Sequence, residues 1–227
     1  LSILLPVWNP DLVQFQRCLT SIKKADLTGI SYEIIVSDNA SEPRVVEQSI
    51  EAANLANIRF YRQDRNIGGF PNFNWCIAHA KGQWMHLLSH DDWIEPEFYQ
   101  KLLAGKADES ESHLRFCRTI IYDEGTKQSR LMFDEAPEAG ILKSFIERQS
   151  ACQRIQLVGA VFSRKAVEDL GGFDGTLGPG ADWEYWARIG SRFPVYYHPG
   201  QLATYTIHQT SWSNREGNFE NAEAFRK

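Results

Sequence analysis

One stretch of this sequence constrains the fold more than any other, an apolar run over residues 84–93 that ends in Asp91 and Asp92. The side chains before the two aspartates are apolar on both faces of an extended segment, which predicts an interior strand of a parallel sheet. Ligands of such sheets bind beyond the carboxyl ends of the strands. The run therefore places two adjacent carboxylates where a ligand would bind.

Adjacent carboxylates at the end of a buried strand favour a cation. Carboxylate oxygens suit magnesium, manganese or calcium, and magnesium-type sites usually combine one or two carboxylates with substrate phosphates. Asp91 and Asp92 thus indicate a nucleotide diphosphate as the ligand. This stretch alone leaves a second interpretation equally open, in which the pair caps a helix that begins near residue 94.

Strand-like and helix-like stretches alternate with short connections through the first part of the chain. Apolar residues at spacings of three and four, such as Leu12, Phe15 and Leu19, predict the buried face of a helix between two strands. Repeated β-α units predict an α/β fold with a mostly parallel central sheet, flanked by helices and connected by right-handed crossovers. The predicted strands of this part are residues 2–7, 33–37, 58–61 and 84–93.

The regular alternation breaks after Trp93, and we predict a smaller C-terminal portion of the same domain from residue 104 onwards. An acidic, polar segment there is typical of an exposed connection. The predicted strands of this portion are residues 114–122, 157–163, 195–197 and 202–207, and the predicted helices are residues 141–146, 166–170 and 183–189.

Composition excludes several classes of protein. A net charge of −5 and a pI near 5.7 argue against nucleic acid as the main partner, because phosphate-backbone binding needs a basic surface. No run approaches the ~18 apolar residues of a membrane span. The four cysteines lack zinc spacing, which predicts reduced thiols in a cytoplasmic protein. Because the chain begins inside a strand without methionine, we expect an excised domain, whose missing regions could associate with the inner face of the membrane.

Polar and aromatic residues follow the first two predicted strands. No GxGxxG pattern follows the first strand, which argues against a dehydrogenase. Trp8 and Asp38 come at the ends of neighbouring strands, so a nucleobase could stack on the indole and donate its ring N–H to the carboxylate. Taken singly, Trp8 is more often a core residue and Asp38 a helix cap. Their shared edge is what favours a nucleoside pocket.

Seven short motifs follow the order and spacing of one known family. The chain resembles a family 2 glycosyltransferase of the GT-A fold, the large inverting class that uses nucleotide-diphospho-sugars. The resemblance runs from residue 2 to about residue 213. The motifs are PxxN at residues 6–9, DNAS at 38–41, NxGG at 66–69, DD at 91–92, GGFD at 171–174, ADWE at 181–184 and HxxSxS at 208–213.

The resemblance implies a donor site with a divalent metal. The implied cofactor is Mn²⁺ or Mg²⁺, held by Asp91, Asp92 and His208, where His208 reaches the metal or the diphosphate from the C-terminal part of the chain. A lone histidine is otherwise more often a plain surface residue. The donor-binding residues that the resemblance implies are Pro6, Trp8, Asn9, Asp38, Asn66, Gly68, Asn74 and Asp91.

The resemblance also divides the domain into a donor-binding half, residues 1–103, and an acceptor-binding and catalytic half, residues 104–227. For inversion, a base must take the acceptor proton on the face opposite the departing diphosphate. The resemblance places Asp182 in that role, with Trp183 in the acceptor wall. Asp182 could instead be only a helix N-cap. Glu184 is the competing base, but two residues along a helix it points about 160° away from Asp182.

Two departures from the family pattern bear on the donor site. The metal motif is often DxDD in the family, and Ser89 stands at its first position here. Many members carry an arginine after the NxG loop, and residues 70–74 contain none. Diphosphate contacts are then expected from backbone N–H groups near Gly68 and Gly69 or from Asn74. The two glycines could equally form only a turn.

The expected reaction moves a sugar from a UDP or dTDP donor to a saccharide or lipid-linked saccharide, in synthesis of a bacterial surface polysaccharide or glycoconjugate. The Asp38 carboxylate suits the ring N–H of uracil or thymine. Two alternatives stay open, a glycosyltransferase-like domain that binds without turnover and a sugar nucleotidyltransferase. The presence of both Asp91 and Asp182 argues against the first. Residues 9–11 are not the glycine-rich, basic loop that the second would want.

Overall fold

The computed structural model describes residues 1–104 and 111–208, whose strands form one ten-stranded sheet. The main path through the sheet runs in the order β3-β2-β1-β4-β9-β6-β10-β5, with β7 paired to β6 and β8 paired to β10. The strands are β1 Ser2–Val7, β2 Glu33–Asp38, β3 Ile58–Arg62, β4 Trp84–Leu87, β5 Trp93–Ile94, β6 Leu114–Asp123, β7 Gln128–Leu131, β8 Gly140–Ile141, β9 Ala160–Ser163 and β10 Val195–Ile207.

Helices cover both faces of this sheet. In β1, Ile3 and Leu5 pack into one apolar cluster while Leu4 packs into the other, so alternate side chains of the strand are buried on opposite faces. None of the described helices is long and apolar enough to cross a membrane. The helices are α1 Leu12–Lys24, α2 Val46–Ala53, α3 Gly69–His79, α4 Phe98–Leu103, α5 Phe145–Ala151, α6 Arg164–Leu170 and α7 Ala181–Arg192.

Strand direction confirms the predicted fold class. The strands β3, β2, β1 and β4 are mutually parallel, as the β-α alternation predicts. Strand β9 runs antiparallel between β4 and β6, and β10 then runs parallel to β6. The carboxyl ends of β1, β2, β4 and β10 therefore lie at one edge of the sheet, although β10 comes from the far end of the chain.

The apolar run of residues 84–93 is not one strand, contrary to prediction. Strand β4 ends at Leu87, and the two aspartates lie in a turn that leads to β5. Strand β5 lies at the end of the strand order, separated from β4 by three strands, and there Trp93 pairs with Thr204 of β10. The alternative of a helix cap is also wrong, because α4 begins only at Phe98 and no side chain caps it.

Three further boundaries differ from prediction. The strand predicted over residues 157–163 begins only at Ala160, because Leu157–Gly159 forms a 3-10 helix. At the other two, long-range pairing overrides local pattern. The predicted helix over residues 141–146 is wrong at its start, since Ile141 pairs with Tyr196 in the β8–β10 ladder and α5 begins at Phe145. The two predicted final strands are one strand, β10, which continues through an irregularity between His198 and Ala203.

A buried histidine ties β4 to its neighbours. His86 is fully buried, with Nδ1 2.9 Å from the Tyr99 hydroxyl and Nε2 2.9 Å from the Val158 carbonyl oxygen. The carbonyl can only accept, so Nε2 carries the hydrogen and Nδ1 accepts from Tyr99. Burial lowers the pKa of His86 to about 3. The ring is therefore neutral and joins β4 to α4 and to the turn before β9.

His86 makes stability depend on pH in a defined direction. Its folded-state pKa of about 3 lies below the usual 6.5, so its contribution is complete above pH 6.5 and is lost as pH falls towards 3. We expect native protein to exceed a His86→Gln variant in urea-unfolding free energy at neutral pH, and the difference to shrink on acidification. An equal difference at neutral and acidic pH would contradict this.

Candidate functional site

A cavity of about 710 Å³ opens at the carboxyl edge of the sheet. It lies beyond the ends of β1, β2, β4 and β10 and beside the first turn of α3. Its volume is that of a site for a nucleotide-sized ligand. The lining comprises Pro6, Val7, Trp8, Asn9, Asp11, Gln14, Asn39, Asn66, Gly68, Gly69, Phe70, Pro71, Asn72, Phe73, Ser89, His90, Asp91, Gly175, Gly178 and His208.

This cavity brings together most of the predicted donor-site residues. Those in its lining are Pro6, Trp8, Asn9, Asn66, Gly68, Asp91 and His208. Five other predicted site residues lie outside the lining, namely Asp38, Asn74, Asp92, Asp182 and Trp183.

Asp91 and His208 meet at the cavity although they are 117 residues apart. His208 Nε2 lies 2.8 Å from Asp91 Oδ2. Burial opposes ionisation of Asp91, but the hydrogen bond with His208 and the attraction of His90 and His208 outweigh it and lower the pKa of the Asp91 carboxyl. Asp91 is therefore a carboxylate at neutral pH.

Asp92 has the opposite environment. It is 1% exposed, and its Oδ1 accepts a 2.7 Å hydrogen bond from the Thr206 backbone N–H. Burial and the charge of Asp91 raise the pKa of Asp92 well above its usual value. The two adjacent aspartates thus differ in environment and in the direction of their pKa shifts. Asp91 faces the cavity, and Asp92 binds the backbone of β10.

Arg17 joins the turn after β4 to the end of β10, a junction formed by Asp91, Asp92, Thr206 and His208. Its role was not identified from sequence. Its Nη2 donates to the Asp91 carbonyl oxygen at 3.1 Å and to the Thr206 hydroxyl at 3.2 Å. The guanidinium also lies 4.0 Å from the centre of the Trp93 ring, a favourable cation–π contact. No spacing in the sequence indicated this role, because Arg17 is simply a polar residue on an amphipathic helix.

The residues at this junction fit a divalent metal only in part. Within residues 1–104 and 111–208, no group of three or more His, Cys, Asp and Glu side chains is placed to hold a metal ion. Asp91 and His208 supply one carboxylate and one imidazole, a donor set that suits Mn²⁺ when diphosphate oxygens complete it. Asp92 does not fit as a ligand, because it is buried and bonded to Thr206.

Asp38 is buried and does not line the cavity. It is 1% exposed, forms an ion pair with Arg62 and accepts a 3.0 Å hydrogen bond from the Ser41 N–H. The next residue, Asn39, lines the cavity instead. The contact between Asp38 and a nucleobase N–H stays a prediction.

Asn39 organises the loop before α3. Its amide nitrogen donates to Asn66 Oδ1 at 2.8 Å and to the Gly68 carbonyl oxygen at 3.2 Å. Its amide oxygen accepts from the Ile67 N–H at 2.9 Å. The DNAS motif therefore fixes the NxGG loop, a link that neither motif reveals alone.

Asn74 connects the two halves of the chain. Its amide oxygen accepts from the Phe173 N–H at 2.9 Å and its amide nitrogen donates to the Phe173 carbonyl oxygen at 2.8 Å. A Cβ atom at Gly172 would lie 2.3 Å from Asn74 Oδ1, so glycine is needed for this approach. Both polar ends of the Asn74 side chain are thus used within the protein.

Asp182 is the second residue of α7, so the N-cap interpretation is wrong. The N-cap is Gly180. Asp182 is 8% exposed, and its Oδ1 accepts from the Trp183 N–H at 2.8 Å. Burial raises the pKa of Asp182 to about 7, against the opposing effect of hydrogen bonds from Trp183 and Gln153. The carboxyl therefore exchanges a proton near neutral pH.

The neighbours of Asp182 are engaged elsewhere. Glu184 forms an ion pair with Arg188 one turn along α7, at 2.7 Å. The Trp183 indole N–H donates to the Gln149 carbonyl oxygen at the end of α5. Trp183 was among the predicted site residues, whereas no motif marks Gln149 and Gln153, which hold this turn.

With this geometry in view, comparison with known proteins identifies the family. The model of the family described as "Glycosyl transferase family 2" matches residues 2–171. The chain belongs to glycosyl transferase family 2.

Individual relatives are distant. The chain is 26% identical over 112 residues to "Putative glycosyltransferase EpsH" of Bacillus subtilis (strain 168), covering 48% of this chain and 31% of EpsH. It is 23% identical over 214 residues to an uncharacterized protein of Mycobacterium tuberculosis, covering 89% of this chain and 66% of that one.

Solved structures show the same fold. The crystal structure of S. aureus TarS 1–349 in complex with UDP-GlcNAc matches with a TM-score of 0.74 at 15% identity, covering 91% of this chain and 58% of that one. The complex of the same fragment with UDP matches with a TM-score of 0.73 at 16% identity, covering 92% and 60%. This chain thus spans less than two thirds of the length of these relatives.

The role of Asp92 can be tested by stability. In Asp92→Asn the amide oxygen can still accept from the Thr206 N–H, whereas Asp92→Ala leaves that buried donor without its partner. We expect the Ala variant to be about 1–3 kcal/mol less stable than the Asn variant in urea unfolding. At exposed Asp169 in α6, the same pair should show no such deficit for Ala, which is the better helix former. Equal stability of the two Asp92 variants would contradict the assigned role.

Proposed function

We propose that this chain is the donor-binding and catalytic domain of an inverting glycosyltransferase that takes its sugar from a UDP-sugar. The observation that carries the proposal is the Asp91–His208 pair in a cavity of about 710 Å³, at the carboxyl edge of a family 2 fold. TarS has been crystallised in complex with UDP-GlcNAc and with UDP, which supports UDP rather than dTDP as the donor nucleotide here. The proposed acceptor is a saccharide or lipid-linked saccharide of a bacterial surface polymer.

The nucleotide is proposed to enter along the end of β1. Trp8 is 41% exposed at the cavity and offers a ring face for the base. The backbone N–H of Gly69, at the N-terminus of α3, suits the diphosphate. The Gly68 N–H already donates to Asn66 Oδ1 at 2.8 Å and holds the loop in shape. This arrangement leaves the sugar on the side of the cavity formed by Gly175 and Gly178.

A metal is proposed to bind Asp91 and His208. When bound, Mn²⁺ or Mg²⁺ would act as a Lewis acid that neutralises the diphosphate leaving group. The lowered pKa of Asp91 keeps this carboxylate charged and able to bind a cation at neutral pH. Arg17 and Thr206 fix the backbone on which Asp91 stands.

Asp182 is proposed as the general base. A base is most effective when its pKa is near the working pH, and the pKa of Asp182 is about 7. In the proposed step Asp182 takes the proton of the acceptor hydroxyl while the hydroxyl oxygen attacks the sugar carbon and the diphosphate departs with its bonding electrons. Trp183 is proposed to stand beside the acceptor.

The donor site is tested by calorimetry with UDP. In native protein, Mn²⁺ should tighten UDP binding by more than about tenfold, or ~1.4 kcal/mol. Asp91→Asn should abolish most of this gain because it removes the charged ligand. Asp169→Asn, on the exposed surface of α6, is the matched control and should behave as native. UDP affinity that is the same with and without metal in native protein and in Asp91→Asn would contradict the proposed site.

The base is tested by UDP-GlcNAc hydrolysis, in which water replaces the acceptor. The native rate should rise with pH through about 7, because Asp182 acts in its ionised form. Asp182→Asn should lower the rate by roughly 10²-fold and remove this pH dependence, while UDP still binds. The control is Glu184→Gln, which breaks only the ion pair with Arg188. A near-native rate in Asp182→Asn would remove Asp182 from the mechanism.

A further inference from the structure

The carboxylate of Asp182 is held from outside its own helix. Gln153, two residues beyond the end of α5, donates from Nε2 to Asp182 Oδ2 at 2.5 Å. The other carboxylate oxygen, Oδ1, accepts from the Trp183 N–H at 2.8 Å. Within residues 1–104 and 111–208, each oxygen of Asp182 therefore accepts one hydrogen bond from another residue and keeps a lone pair.

The orientation of the Gln153 amide follows from its second contact. Nε2 also lies 3.2 Å from the Ile155 carbonyl oxygen, which can only accept. Turning the amide over would place its oxygen against two acceptors, Ile155 O and Asp182 Oδ2. Both amide hydrogens are thus committed, and the nitrogen must face Asp182.

Close packing of α5 on α7 brings this glutamine to the carboxylate. A Cβ atom at Gly190 of α7 would lie 2.4 Å from the Phe145 ring of α5, so only glycine permits this separation. One turn after Phe145, the Gln149 amide donates to the Trp183 carbonyl oxygen at 3.2 Å. Gln149 and Gln153 together fix the first turn of α7.

We propose that Gln153 is a positioning residue for the general base, fixing one oxygen of the Asp182 carboxylate so that a remaining lone pair can receive the acceptor proton. This inference rests on the proposed role of Asp182. The glutamine does not touch the reacting atoms and acts only through Asp182.

Several charged side chains on the elements that flank Asp182 in the described part of the chain are held in ion pairs. On α7, Glu184 is paired with Arg188. On the α5 side, Arg148 and Arg154 are both paired with Glu135, at 3.0 and 3.5 Å. Burial therefore dominates the proton affinity of Asp182, and the hydrogen bonds from Gln153 and Trp183 oppose it. Loss of the Gln153 amide should raise that affinity.

The test follows the carboxyl signal of Asp182 by NMR titration of protein labelled with isotope-enriched aspartate, assigned by its absence in Asp182→Asn. Gln153→Met keeps the side-chain length and removes the donor, so the titration midpoint should rise by about one pH unit. Gln153→Glu adds a second carboxyl beside the first, so the midpoint should rise further. Gln156→Leu, at a half-buried glutamine three residues on, is the control and should leave it unchanged.

The same variants are assayed for UDP-GlcNAc hydrolysis across neutral pH. The rate profile should move upward in pH with the NMR midpoint in Gln153→Met, and UDP affinity should stay native. An unchanged NMR midpoint in both Gln153 variants would overturn the inference, whatever the rate profile shows. A midpoint that moves while the rate profile stays fixed would instead remove Asp182 from the reaction. The two failures are therefore distinguishable.

Discussion

The site depends on the hydrogen bonds that join the end of β10 to the turn after β4. The Thr206 N–H donates to Asp92 at 2.7 Å, and the Thr206 hydroxyl donates to the Asp91 carbonyl oxygen at 2.8 Å. These contacts give hydrogen-bond partners to buried polar groups, which would destabilise the fold if they were left unpaired. They also carry His208, two residues beyond Thr206, to the Asp91 carboxylate. This junction brings the end of β10 to the cavity, where His208 joins residues of the first half of the chain in the lining.

Three aspartates that the sequence assigned to the site have different properties because their surroundings differ, and only Asp91 lines the cavity. Asp91 is hydrogen-bonded to His208 and its pKa is lowered, so it suits a cation. The pKa of Asp92 is raised, and this residue serves the backbone of β10. The pKa of Asp182 is raised to about 7, which suits proton exchange. Environments that separate the pKa values of like groups are a common basis for assigning acid, base and binding roles.

Sequence alone predicted what local pattern determines. The β-α alternation gave the fold class, and the run before Asp91 placed this residue correctly at the carboxyl edge of the sheet. The predicted ends of helices and strands were wrong where a segment pairs with a distant strand. Ile141, for example, was predicted in a helix but pairs with Tyr196 of β10. The different environments of the adjacent aspartates could not be predicted either. Only the fold determines that Asp91 lines the cavity and that Asp92 accepts a hydrogen bond from β10.

The contacts that shape the site were the least predictable part. Arg17, Gln153 and the pairing of Asp38 with Arg62 all depend on side chains brought together from distant segments. No motif or spacing marks them, since each is an ordinary polar residue in its own element. The family resemblance supplied Asp182 and His208, and neither would have stood out from periodicity.

The central claim is that the cavity holds a nucleotide diphosphate against Asp91 and His208. A crystal structure of the protein with UDP and Mn²⁺, using the anomalous signal of manganese, tests it most directly. We predict a manganese peak within about 2.5 Å of an Asp91 oxygen, with the diphosphate beside it and the base near Trp8. UDP bound elsewhere, or bound in this cavity with no metal at Asp91, would contradict the account.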